Sequence, residues 1–122
     1  MSMPHLGAAL RIVVADDDDL LSAVVASSLE SHGYVVSCAP RGLISVAAPV
    51  DADLVILDAR VPGQDFDSTL ELLRQQSVAV LVFSGELSPP PGVAPDDYLA
   101  KPVDLSDLLG AVSRLVLTGQ RR

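Results

Sequence analysis

Acidic side chains follow two apolar stretches of this chain, and their positions suggest a chemical role. Asp58 comes directly after Leu54–Leu57, four consecutive aliphatic residues of which two are β-branched. Four carboxylates, Asp16–Asp19, come directly after the apolar stretch Arg11–Ala15. Carboxylates gathered at one place repel each other and are costly to bury without a partner. A divalent cation relieves this repulsion, and a ligand set made only of oxygen atoms favours Mg²⁺.

Two further polar groups, Ser84 and Lys101, also stand where an apolar stretch ends. Ser84 follows Val78–Phe83, and Lys101 follows the short stretch Asp97–Ala100. A carboxylate, an amine and a hydroxyl around a metal ion suit the transfer of a phosphoryl group, since aspartate forms covalent phosphates and cations neutralise the transferred oxygens. In this interpretation Asp58 is the nucleophile, Lys101 neutralises charge together with the metal, and Ser84 donates a hydrogen bond.

These residues can meet only if the apolar stretches are neighbouring parallel strands whose carboxyl ends share one edge of a sheet. Continuous apolar runs are typical of strands buried on both faces, and apolar residues three and four apart are typical of helices. We predict strands over Arg11–Ala15, Tyr34–Cys38, Asp53–Asp58, Val78–Phe83 and Asp97–Ala100. We predict helices over Leu20–Leu29, over Pro40–Val50 with weaker support, from Asp65 to about Leu73, and over Leu105–Val116. Alternating strands and helices predict a doubly wound α/β fold with a parallel five-stranded sheet.

Composition and charge limit the possible functions. A chain of 122 residues is long enough for one domain with one sizeable core. The net charge of −8 argues against direct nucleic-acid binding, which needs a clustered basic surface. No apolar run is long enough to span a membrane, and the single Cys38 cannot form an internal disulfide, so we expect a cytoplasmic protein. We expect a lead-in over residues 1–9, a domain over 10–118 and a tail over 119–122.

Along nearly its whole length the sequence resembles the receiver domain of two-component response regulators. The matching features are the pair Asp16–Asp17, Asp58 with its trailing Val61–Gly63, Ser84, Tyr98 and the dipeptide Lys101–Pro102. The resemblance implies a flavodoxin-like (βα)5 fold with strand order 2-1-3-4-5. It also implies that the aspartate after the third strand accepts a phosphoryl group from the phosphohistidine of a sensor histidine kinase or of a histidine phosphotransfer protein.

The resemblance further implies a magnesium ion and its ligands. Asp17, Asp58 and the backbone carbonyl of Arg60 would hold Mg²⁺, and Asp16 would bind it through water. His5 and His32 are the only histidines, and neither stands in a setting that suits a phosphodonor, so the donor is expected on another protein.

The remaining matching residues are implied to act on the phosphoryl group or to respond to it. Lys101, positioned by a cis peptide bond before Pro102, would pair with the phosphoryl group. Ser84 and Tyr98 would form the switch pair, in which the tyrosine ring moves inward when Ser84 shifts toward the phosphate.

The sequence departs from the family between Ser84 and Lys101. This segment is several residues shorter than usual and carries Pro89–Pro91, which cannot be helical, so we expect the fourth helix of the fold to be shortened or missing. That puts output through the fourth helix in doubt. Phe66 stands where many receivers have glycine, which makes the loop after Asp58 bulkier.

Two other functions stay open at this point. The chain could be a receiver-like interaction domain that works without phosphorylation. It could also be a small hydrolase that uses Asp58 as nucleophile, although haloacid-dehalogenase-like phosphatases carry a second acid where this chain has Arg60. The sequence identifies neither the downstream effector nor whether the domain forms a homodimer.

Overall fold

Five short strands form one parallel sheet in the computed structural model, which describes residues 9–45 and 47–120. The strands are β1 (Arg11–Ala15), β2 (Val35–Cys38), β3 (Leu54–Asp58), β4 (Ala79–Ser84) and β5 (Tyr98–Ala100). Their order across the sheet is β2-β1-β3-β4-β5, and every neighbouring pair is parallel. The predicted fold class and strand order are therefore confirmed. The predicted lead-in up to residue 8 and the last two residues of the predicted tail lie outside the described residues.

Three helices cover the sheet: α1 (Asp19–Glu30), α2 (Phe66–Gln75) and α3 (Leu105–Gln120). α1 and α3 contribute to one core, and α2 contributes to the core on the opposite face. β3 lies between the two cores, so Leu54 and Ile56 pack on one side while Val55 and Leu57 pack on the other. Among the described residues, no helix has the length and apolar character needed to cross a membrane.

The acidic run after β1 also starts the first helix. The Asp18 side chain accepts a hydrogen bond from the amide of Leu21 at 3.0 Å and caps α1. The predicted apolar stripe of α1 is wrong at Leu20 and Val24, which are 77% and 44% exposed. The residues of α1 that contact the core are Leu21, Val25 and Leu29, which are spaced by four. Leu20 and Val24 each precede one of these residues in the chain, so their side chains point about 100° away around the helix.

The helix predicted over Pro40–Val50 is wrong. Only a 3-10 turn over Pro40–Gly42 forms in the described part of this connection. Arg41 and Gly42 have φ values of 55° and 75°, a left-handed conformation that a right-handed helix cannot contain. A helix that begins at Pro40 therefore cannot continue past Arg41 and Gly42.

Glutamine side chains at the two ends of α2 hold this connection in place of helical hydrogen bonds. The side chain of Gln64 accepts from the amide of Ile44 at 2.6 Å and donates to its carbonyl at 3.3 Å. The Gln76 side chain accepts from the amide of Val50 at 2.8 Å. These bonds satisfy backbone groups that a helix would have paired internally, so the segment can cover the α2 face of the sheet.

The expectation that the fourth helix is shortened or missing is confirmed. Residues 85–94 contain no helix, and a 3-10 turn over Pro95–Asp97 leads into β5. Arginines from two helices fix the segment: Arg74 donates to the carbonyl of Gly92 at 2.8 Å, and Arg114 donates to the carbonyl of Asp96. The proline-rich connection is thus held by side chains on either side of it.

Replacing Gln64 by alanine should destabilise the protein by about 2 kcal/mol, because both of its partly buried hydrogen bonds to Ile44 are lost. Urea unfolding of Gln64→Ala measures this loss. The matched control is Gln75→Ala, whose exposed side chain donates a hydrogen bond to Glu71 one helical turn away; its removal should cost about 0.3 kcal/mol. Equal losses in the two variants would contradict the role given to Gln64.

Candidate functional site

The carboxylate at the end of β3 is buried and fixed in direction. Asp58 is 6% exposed, and it ends a strand in which every residue is buried. One of its oxygens, Oδ1, accepts the amide of Arg60 at 3.0 Å, and the other, Oδ2, accepts Nζ of Lys101 at 3.1 Å. The strand therefore presents one rigidly held carboxylate at the carboxyl edge of the sheet, the usual place for a ligand in such folds.

A second carboxylate, that of Asp16, lies beside it at the end of β1. Asp16 is 2% exposed, and its Oδ1 accepts the amide of Asp18 at 2.8 Å. Its Oδ2 forms an ion pair with Nζ of Lys101 at 2.8 Å, and no other group in the described part of the chain donates a hydrogen bond to this buried oxygen. A buried anionic oxygen with an unused lone pair is a suitable ligand for a cation.

Lys101 shares its ammonium group between these two carboxylates. Its backbone amide donates to the carbonyl of Ser84 at 2.8 Å, which places the residue at the joint end of β4 and β5. The Lys101–Pro102 peptide bond is cis, as the resemblance implied. Burial alone would lower the pKa of Lys101, but its interactions with Asp16 and Asp58 outweigh burial and raise it above its ordinary value. The side chain is therefore a permanent cation at neutral pH.

The acidic cluster has the composition of a divalent-cation site. Asp16, Asp17 and Asp58 each offer an oxygen, and these oxygens lie within 4.8 Å of one another. Three carboxylates face one ammonium group, so two negative charges stay uncompensated. Burial raises the pKa of the Asp16 carboxyl, and the opposing interactions with Lys101 and Asp18 do not cancel this effect. The oxygen donors and the excess negative charge fit Mg²⁺.

Ser84 and Tyr98 lie at the same edge of the sheet, but both bind Glu86 rather than the charged groups. The Ser84 hydroxyl oxygen accepts the amide of Glu86 at 3.1 Å. The Tyr98 hydroxyl donates to the backbone carbonyl of Glu86, and it lies 3.5 Å from the carbonyl of Ser84. Tyr98 is 8% exposed, so its ring already packs inward. The structure thus brings together the four charged residues Asp16, Asp17, Asp58 and Lys101. It places the expected switch pair, Ser84 and Tyr98, around the start of residues 86–93, which we call the proline segment.

A cleft of about 590 Å³ opens beside Asp58, between the loop after β3 and the proline segment. Arg60 and Glu86 line this cleft and form an ion pair with an N–O distance of 3.3 Å. Both side chains are largely exposed, so the pair adds little stability. Phe66, expected to enlarge the loop after β3, lines this cleft.

Sequence reasoning missed two residues that contact the acidic pair. Ser22 is buried in α1, and its hydroxyl donates to the backbone carbonyl of Asp16 at 3.2 Å. Gly42 packs against the peptide between Asp16 and Asp17. A serine between apolar helical positions was a usable signal for Ser22. No such signal exists for Gly42, since nothing in the local sequence indicates which backbone it approaches.

Comparison with known proteins identifies the family. A family model described as the response regulator receiver domain matches residues 12–113. Transcriptional regulatory protein TcrA of Mycobacterium tuberculosis is 32% identical over 119 residues, which cover 90% of this chain and 47% of the relative. The DNA-binding dual master transcriptional regulator RpaA of a Synechocystis species is 31% identical, with 87% of this chain and 48% of the relative covered. The chain therefore spans about half the length of these curated relatives.

Solved structures agree at the level of the fold. The receiver domain of Francisella response regulator 1452 superposes with a TM-score of 0.73 at 25% identity, covering 89% of this chain and 98% of that domain. The chemotaxis protein CheY4 of Vibrio cholerae gives a TM-score of 0.73 at 24% identity, covering 88% and 99% of the two chains.

The raised pKa of Asp16 predicts a pH dependence of stability in the presence of a chelator. A carboxyl whose pKa is higher in the folded than in the unfolded protein stabilises the fold fully below its ordinary pKa, and this contribution is lost as the pH rises through the raised value. Urea unfolding at a series of pH values in EDTA should therefore show a decline that Asp16→Asn flattens.

Asp67→Asn is the matched control, because Asp67 is an exposed carboxylate in the first turn of α2. It should keep the wild-type pH profile. If Asp16→Asn has the same pH profile as the wild type, burial of the charged Asp16 carboxylate does not lower the free energy of unfolding.

Proposed function

The chain belongs to the response regulator receiver domain family of two-component signalling, and on that premise we propose that Asp58 is its phosphoacceptor. The observation that carries the proposal is the state of the Asp58 carboxylate. It is buried at the end of β3, both of its oxygens are held by N–H donors, and oxygens of Asp16 and Asp17 lie within 4.8 Å of its own. A nucleophile fixed in this way loses little freedom when it reacts.

The proposed reaction is phosphoryl transfer from a phosphohistidine on a sensor histidine kinase or a histidine phosphotransfer protein. An Asp58 carboxylate oxygen attacks phosphorus, the phosphorus–nitrogen bond breaks, and its electron pair returns to the imidazole of the donor. Lys101 would exchange part of its pairing with Asp16 and Asp58 for the transferred phosphoryl oxygens, since its ammonium group lies between them. The Ser84 hydroxyl would donate a hydrogen bond to one of the same oxygens.

We assign the metal site to Asp16, Asp17, Asp58 and the backbone carbonyl of Arg60, with Asp16 binding through water. A bound Mg²⁺ would supply charge neutralisation at the transferring phosphoryl oxygens. The chain's own contribution is to hold two buried carboxylates beside each other with a single ammonium group, which leaves uncompensated negative charge for that ion.

The switch pair is proposed to act through Glu86. Ser84 and Tyr98 both hydrogen-bond to the backbone of Glu86, the residue that leads into the proline segment. If the Ser84 hydroxyl turns toward a phosphoryl oxygen, it releases the Glu86 amide. We therefore expect the signal to pass into residues 86–93 rather than into a fourth helix.

We also propose a cellular compartment and a kind of partner for this domain. The printed names of the relatives describe transcriptional regulators, one of them DNA-binding, and these names belong to proteins about twice as long. We propose a cytoplasmic domain that acts on an effector not yet identified, with a homodimer as one form it could take. The lone Cys38 is consistent with a reducing compartment.

Asp58 should be the residue that becomes phosphorylated. With Mg²⁺ and acetyl phosphate, intact-mass measurement should show the addition of one phosphoryl group to the wild-type protein and none to Asp58→Asn. Asp67→Asn, which changes an exposed carboxylate outside the cluster, should be phosphorylated like the wild type. Beryllofluoride with Mg²⁺ should shift the amide resonances around the site in the same two proteins that are phosphorylated.

Identical behaviour of the wild type and Asp58→Asn in both measurements would overturn the proposal. It would favour an interaction domain that works without phosphorylation. Steady turnover of a small phosphate ester would instead favour a hydrolase.

Removing the Tyr98 hydroxyl should loosen the proline segment before any phosphorylation. Tyr98→Phe leaves the carbonyl of Glu86 without its donor, so we expect a loss of about 1 kcal/mol in urea unfolding. Amide resonances of residues 86–93 should shift as well. Tyr34→Phe changes a partly buried tyrosine beside the other core and should leave those resonances in place. Unshifted resonances in Tyr98→Phe would contradict the proposed route through Glu86.

A further inference from the structure

The 3-10 turn over Pro40–Gly42 lies directly against the main chain of the acidic pair. Gly42 is buried, with φ at 75°, and a Cβ atom placed on it would lie 2.8 Å from the carbonyl carbon of Asp16 and 2.8 Å from the amide nitrogen of Asp17. Real Cβ atoms do not approach this closely, and the obstructing atoms belong to the backbone rather than to a flexible side chain. Only glycine allows this contact.

The turn cannot easily move away from the acidic pair. Before it, the amide of Ala39 donates to the carbonyl of Val14 in β1 at 2.8 Å. Within it, the amide of Gly42 donates to the carbonyl of Ala39 at 2.9 Å. After it, Ile44 is held at both backbone groups by the side chain of Gln64. A side chain at position 42 would therefore displace the Asp16–Asp17 peptide rather than the turn.

That peptide determines where the two carboxylates point. The carbonyl of Asp16 is held from the α1 side by the hydroxyl of Ser22, and Gly42 packs on the peptide as well. The Asp17 side chain is exposed and has no hydrogen-bond or ion-pair partner among residues 9–45 and 47–120. The backbone therefore sets where its Cα and Cβ atoms lie, and a displaced peptide would carry the carboxylate with it.

We propose that Gly42 is a positioning residue for the divalent-cation site, which it serves by allowing the turn to close on the Asp16–Asp17 peptide. It contacts neither the metal nor the phosphoryl group. The inference rests on the proposed function, because it assumes that these carboxylates bind Mg²⁺. It also gives a role to the connection in which the predicted second helix is absent.

Isothermal titration with MgCl₂ tests the proposal without any measurement of phosphorylation. Gly42→Ala should weaken Mg²⁺ binding at least about tenfold, the usual effect of losing a group that orients metal ligands. Gly33→Ala and Gly92→Ala are matched controls, because both glycines have positive φ values, 92° and 85°, and neither has an atom within 4 Å of an added Cβ. They incur the same backbone strain as Gly42→Ala, so they should lose stability but keep wild-type Mg²⁺ affinity.

The outcomes separate this inference from the proposed function. Wild-type protein that does not bind Mg²⁺ would overturn both. Wild-type protein that binds Mg²⁺, together with equal affinities for Gly42→Ala and the two controls, would overturn only the role of Gly42. Tenfold weaker binding in Gly42→Ala alone supports it.

A second pair of variants decides the matter if circular dichroism shows that Gly42→Ala does not fold. Pro40→Ala loosens the start of the turn without adding bulk near Asp16, and we expect about threefold weaker Mg²⁺ binding. Pro49→Ala removes an exposed proline from the same connection and should bind Mg²⁺ like the wild type. Equal affinities in this pair would overturn the proposal.

Discussion

Two buried carboxylates share one ammonium group at the carboxyl edge of the sheet, and the rest of the structure depends on this imbalance of charge. Asp16 and Asp58 are both nearly inaccessible to solvent, and Lys101 can neutralise only one of them. Such an arrangement costs stability when it is left as it is, because burial opposes the charged forms. In the proposed function a divalent ion would relieve this cost, since its charge would balance the carboxylates. The uncompensated negative charge is what favours the binding of a cation at this site.

Rigid backbone elements make this arrangement possible. β3 is buried along its whole length, and the carbonyl of Ser84 fixes the amide of Lys101, so two of the charged residues stand on strand ends that cannot move independently. Asp16 is held by the amide of Asp18 and by Ser22. Charged groups held by main-chain hydrogen bonds of this kind need little reorganisation when a ligand binds.

The fold keeps this site although two helices of the common pattern do not form among the residues that the structure describes. The connection after β2 is held by the side-chain amides of Gln64 and Gln76, and the connection before β5 is held by Arg74 and Arg114. Both connections lie beside the site, one against the acidic pair and one against the switch pair. Replacing a helix by a tethered loop therefore changes what surrounds Asp58 more than it changes the sheet that carries it. In this domain the response is expected to pass through the segment after Glu86.

The sequence by itself determined the parallel sheet and the charged residues at its edge, while the order of the strands came from family resemblance. Each strand is a short apolar run ended by a polar residue, and parallel strands bring their carboxyl ends together whatever the details of packing, so Asp16, Asp58 and Lys101 could be placed from local patterns and from family resemblance. The triple proline and the shortness of its segment likewise predicted that the fourth helix is shortened or missing.

Only the tertiary structure decided features that depend on approach between distant segments. The apolar pattern after Pro40 favoured a helix, but contact with the Asp16–Asp17 peptide and capture of Ile44 by Gln64 selected a turn. The inward position of Tyr98 depends on a carbonyl that lies 12 residues earlier in the chain. Local sequence encodes propensity and periodicity, whereas these choices were made by steric fit and by hydrogen bonds that exist only once the sheet has formed.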